Sequence, residues 1–114
     1  MNGQVEIDGD YLLQIAGEDS ELVLDIVSEF ERESVEMINN LKSCLKPSLD
    51  LEVIGRLLHK FKGSSVSLGM VSLSKVIMEM ETWTERQWYS EDVNLTTLSD
   101  HLTKSVQLCK GLLM

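Results

Sequence analysis

After Asp19 and Ser20, either of which suits a helix N-cap, apolar side chains return at Leu22, Val23, Ile26, Val27, Phe30, Met37, Ile38, Leu41 and Leu45, with acidic residues between them. Steps of three and four residues put them on one helix face. The pattern therefore predicts a long amphipathic helix that stops before Pro47, the one proline of the chain. A second helix is predicted from about Asp50, carrying Ile54, Leu57, Leu58, Phe61 and Leu68, and a third after Gly69, carrying Leu73, Val76, Ile77 and Met80. Trp83 and Trp88 follow, and the pattern leaves open whether they are core, loop anchors or partner contacts. The last helix is predicted from about Asn94 through Leu98, Leu102, Val106, Cys109 and Leu113. A short helix around Asp10 to Ala16 is expected to cover one end, and Glu85 to Asp92 is expected as a loop or frayed helix end. Four amphipathic segments with short connections predict an all-α, antiparallel up-down-up-down four-helix bundle with a short extra N-terminal helix.

Composition narrows this further. With 114 residues, 43% of them hydrophobic, the chain suits one core and is expected to form a single domain over residues 1–114. Its apolar runs are too short to span a membrane, and the start MNGQVEIDGD lacks the basic and apolar regions of a signal peptide, so a soluble, cytoplasmic protein is expected, with entry into a nucleus left open. Cys44 and Cys109, far apart and among apolar residues, are expected to be reduced core residues; with only His59 and His101 beside them, no metal site is expected. The methionines at 37, 70, 78 and 80 are read as core filler.

The net charge of -9 argues against nucleic-acid or acidic-membrane binding by bulk attraction. The charge is unevenly spread. Between Val53 and Met78 there is no acidic residue, yet Arg56, Lys60, Lys62 and Lys75 fall there, leaving 6 basic and 19 acidic residues for the rest of the chain. A cationic segment in an anionic body points to handling of an anion.

Within that segment, at about 100° per residue from His59, Ile54, Leu57, Phe61 and Leu68 lie within about 40° of the opposite side, and Leu58 falls nearer the flank. His59 is thus predicted to face away from the core, with Lys62 at about -60°, Gly63 at about +40°, Gly55 at about -40° and Val66 near -20°. Each glycine costs a helix about 1 kcal/mol relative to alanine, an expense that makes sense where something must approach the ring closely. A neutral imidazole is a good nitrogen nucleophile near neutral pH and suits attack on an electrophilic phosphorus. Lys62 would steady the phosphoryl oxygens, and Gly63 would leave room for them. Ser64 and Ser65 are expected on the core side, bonding along or across helices. A lone helical histidine is ordinarily just solvated; the absent acids, the glycine pair and Lys62 weigh against that for His59. His101, among Asp100, Thr103 and Lys104, has no comparable setting and is read as an ordinary structural residue.

The run His59-Lys60-Phe61-Lys62-Gly63-Ser64-Ser65, followed by Ser67-Leu68-Gly69, resembles the signature of histidine-containing phosphotransfer domains, particularly the stand-alone eukaryotic kind. Phe30, Asp50 and the apolar periodicity after Gly69 extend the similarity over roughly residues 8 to 112. The resemblance implies a four-helix bundle whose exposed histidine takes a phosphoryl group from the aspartate of one receiver domain and passes it to another. It implies that His59 is the phospho-acceptor, Lys62 the phosphate-orienting cation and Gly63 the access position. The chain departs from the family pattern where many relatives carry Gln or Arg, because Glu81 and Glu85 stand at about those positions.

On this reading the chain is a phosphocarrier without an ATP site of its own: the stretch Gly63 to Gly69 does not end in the Lys-Ser or Lys-Thr of a P-loop. It needs no cofactor, a divalent metal being expected on the receiver. The expected partners are the receiver domain of a hybrid sensor histidine kinase and that of a response regulator, docking on a monomer through Gly55, Arg56, Lys60, Val66 and Met70. The alternative is a non-catalytic helical adaptor that binds receivers without carrying phosphate.

Overall fold

A computed structural model of the chain describes residues 4–45, 48–89 and 95–114. Their regular structure is entirely helical: α1 (Gly9–Ala16), α2 (Ser20–Ser43), α3 (Leu51–Ser67), α4 (Val71–Glu81), α5 (Glu85–Tyr89) and α6 (Leu95–Leu113). Three helix starts carry an aspartate N-cap. The carboxylates of Asp8, Asp19 and Asp50 accept hydrogen bonds from the backbone N–H of Tyr11, Leu22 and Val53, satisfying donors that an incipient helix leaves unpaired. Asp19, not Ser20, therefore caps α2. That helix ends at Ser43, short of Pro47, which lies outside the described residues, as does Asn94.

The long helices pack in a ring, α2 against α3 and α6, and α4 against α3 and α6, while α1 lies on α2 and α6. This is the helical bundle expected, with its short N-terminal helix. One cluster fills it, including Val27, Leu41, Ile54, Phe61, Leu73, Ile77, Leu98 and Val106, with Phe30 tilted against Phe61 at 6.0 Å between ring centroids. Within the segment expected as a loop or frayed helix end, Glu85–Tyr89 forms α5, and Trp88 is buried with Trp83 edge-on to it at 4.8 Å; the rest of that segment lies outside the described residues. The two indoles bury each other and close the end of α4, which settles the question the apolar pattern left open. Met78, expected inside, is half exposed because α4 turns it away from α3 and α6. Among the described residues no helix is long and apolar enough to cross a membrane.

A strap before α1 fixes the turn between α3 and α4. The Asp8 N–H donates to the Gly69 carbonyl (2.7 Å), the Ser72 N–H to the Glu6 carbonyl (3.1 Å), and the Glu6 N–H to Ser72 Oγ (2.6 Å). Gly69 has φ +71°, and a Cβ there would meet Tyr11 Cδ2 at 3.1 Å and the Asp8 carbonyl oxygen at 3.2 Å. Both conformation and space demand glycine at this turn.

Candidate functional site

The burial pattern of α3 shows which way the helix faces. Ile54, Leu58, Phe61 and Ser65 are buried, whereas Leu57 is only partly so and Ser64 is exposed. The core thus lies about 130° from His59 rather than directly opposite it, on the side toward α4. This rotation corrects two expectations. Leu58 is core, not flank, and Ser64 faces solvent. Ser65 is core as expected, its hydroxyl donating to the Phe61 carbonyl at 2.8 Å.

His59 stands on the outer face with its side chain 78% exposed. Gly55 and Gly63 flank it, and a Cβ built on either would meet nothing within 4 Å. Internal packing therefore does not require these glycines, although each weakens the helix. Val66 is 56% exposed on the same face.

The rotation also carries Lys62 into the seam with α4. There its Nζ lies 2.9 Å from Glu81 Oε1, both side chains being about three-quarters buried. The other carboxylate oxygen of Glu81 is 3.9 Å from His59 Nδ1, within range of a charged ring but too long for a direct hydrogen bond. Nδ1 is thus the ring nitrogen turned toward the carboxylate, and Nε2 the one turned away from it. Glu85, the other acidic departure from the family pattern, starts α5 and is exposed.

The four cations of the acid-free segment are not a bare patch. Glu81 neutralises Lys62, and Glu52, one turn before Arg56, pairs with that guanidinium at 2.7 Å. Acids just outside the segment therefore reach back over it, and the expected anion-handling surface is narrower than the sequence suggests. Lys60 and Lys75 are exposed.

Of the expected docking residues, Gly55, Arg56, Lys60 and Val66 are exposed, but Met70 is fully buried. Met70 ends the α3–α4 turn as the residue preceding α4, and its side chain belongs to the core, so it is removed from the docking face. Another surface escaped the pattern. A groove between α2 and α3, reaching α1, is lined by Ile15, Ile26, Phe30, Lys60, Gly63 and Ser64, with Asp25, Glu29 and Glu33 along it. Leu22 and Ile26 belong to the apolar stripe of α2 that the spacing predicts to be buried, yet they are 54% and 46% exposed. The signal was there: that stripe is wider than one core-facing side needs.

His101 is half-buried, and its Nδ1 is shielded without a hydrogen-bond partner among the described residues. Cys109 is buried, which pushes its thiol up from 9.0 to about 11, while Cys44 is half-buried; both are free thiols.

An exposed imidazole with side-chain-free backbone on both flanks and a lysine one turn on can accept a small anionic electrophile delivered from outside, since none of the described residues closes over it. No curated protein and no solved structure matches the chain. The family model for the Hpt domain matches residues 25–108, a span holding His59, Lys62, Gly63 and Glu81. That match covers most of the chain and runs from α2 into α6, so the protein belongs to the Hpt domain family.

Proposed function

We propose that this chain carries a phosphoryl group on His59 Nε2 between receiver domains, histidine phosphotransfer in phosphorelays being what Hpt domains do. The observation that carries the assignment is the bare face around His59: an exposed ring between two glycines that no internal contact explains. The Nε2 lone pair attacks the phosphorus of an aspartyl phosphate. The N–P bond forms as the acyl O–P bond breaks, and the receiver's carboxylate leaves with the electron pair. Lys62 steadies the phosphoryl oxygens. The chain supplies nucleophile, cation and docking face, while the acceptor aspartate and its divalent metal belong to the receiver.

The groove beside Gly63 supports docking of the receiver there, through apolar contact with Ile15 and Ile26 and a polar rim from Lys60 and the α2 acids. It adjoins the position where a phosphoryl group would pass to His59.

Incubation of the purified chain with a pre-phosphorylated receiver domain tests the assignment. Acid-labile, alkali-stable label is expected on the wild type and absent from a folded His59→Gln variant. Equal labelling of both, or label on neither with several receivers, overturns it, and binding without label would leave the adaptor.

A further inference from the structure

Glu81 is the last residue of α4, and its carboxylate lies 3.9 Å from His59 Nδ1 and 2.9 Å from Lys62 Nζ, the same cation that the proposed function assigns to the phosphoryl group. One ammonium thus faces two anionic claims. We propose that Glu81 is a resident counter-charge that competes with the phosphoryl group for Lys62, holding phosphohistidine at raised transfer potential and biasing this protein toward giving its phosphoryl group away. The inference rests on His59 being the phospho-acceptor.

Before transfer, Lys62 and Glu81 neutralise each other at 2.9 Å. After transfer, the dianionic phosphoryl group on Nε2 lies one ring-width from a carboxylate that approaches Nδ1 to 3.9 Å. Two anions, the phosphoryl group and Glu81, then share one cation. Glu81 and Lys62 are each about three-quarters buried, so solvent screens them only in part. A charge at Glu81 is then expected to lower the equilibrium occupancy of phosphohistidine about tenfold, equal to about 1.4 kcal/mol.

The experiment uses the full chain at pH 8.5 with potassium phosphoramidate as donor and a fixed ammonium concentration. The donor's P–N bond breaks, ammonia leaves with the electron pair, and the Nε2–P bond forms. Phosphorus NMR reads the plateau ratio of phosphorylated to free protein. Glu81→Gln keeps size and a hydrogen-bond acceptor but removes the charge, and is expected to raise that ratio about tenfold at unchanged helicity. Glu81→Asp keeps the charge and is expected to stay within about threefold of wild type. Glu81→Ser is read as the neutral variant should Gln lower the melting temperature. A neutral variant whose ratio equals or falls below wild type overturns the inference, as does an Asp variant that rises as far as Gln. These results leave the phospho-acceptor role standing. A wild-type chain whose label survives His59→Gln overturns that role, and this inference with it.

Discussion

Replacing Gly63 by alanine should make the protein more stable and a poorer phosphotransfer partner. The residue lies in the interior of α3 with helical backbone, since positive φ occurs only at Gly17 and Gly69 among the described glycines. The added methyl meets nothing within 4 Å, so no overpacking offsets the gain in helix propensity, about 1 kcal/mol. For a domain of this size that raises Tm by about 3 to 6 °C. The same methyl projects about 40° from His59 and one turn along the helix, into the space an incoming phosphoryl group needs. Displacing reacting atoms by about 1 Å costs up to about a hundredfold, so transfer should slow by about tenfold to a hundredfold. Thermal unfolding followed by circular dichroism and a quench-flow transfer assay read the two effects on one sample. Gly111→Ala, equally unobstructed on α6, serves as the control that leaves transfer unchanged. A Gly63→Ala protein that melts lower would refute the open-space reasoning; one that is stabilised yet transfers at the wild-type rate would refute the access role.

Two further outcomes follow from the groove and the core. Ile26→Asp, at a side chain 46% exposed, should leave helicity unchanged and weaken receiver binding about tenfold or more by isothermal titration; unchanged affinity would place docking elsewhere. Burial holds the Cys109 thiol neutral up to about pH 11, whereas an unfolded thiol ionises from about pH 9. The resulting stability is complete below pH 9 and is lost as pH rises toward 11, by about 2 to 3 kcal/mol, so urea midpoints should fall over that window in the wild type and fall less in Cys109→Ala.

Much of this was readable from residue spacing. Asp19 and Asp50 announced two helix starts, and the 3.6-residue period located α2, α3, α4 and α6, because caps and amphipathic stripes are local properties. The outward placement of His59 and its glycines also followed from period alone. The rotation of α3 did not, since the core direction depends on where α4 lands, a tertiary fact invisible to a single helix. That one rotation accounts for exposed Ser64, buried Leu58 and the meeting of Lys62 with Glu81. The fate of Met70 was hidden for a related reason. A turn residue has no period to betray its face, and only the docking of the strap on Gly69 shows the turn folded inward.

The strap also sets a mechanical tolerance. Glu81 stands ten residues beyond Val71, the first residue of α4, about 15 Å along its axis. If the turn swung by 5°, the far end of that rod would travel about 1.3 Å, enough to part the 2.9 Å contact between Glu81 and Lys62. Three hydrogen bonds from Glu6, Asp8 and Ser72 hold the pivot at the opposite end of the lever. The residues just before α1 thus act as an alignment stop for charges that they never touch.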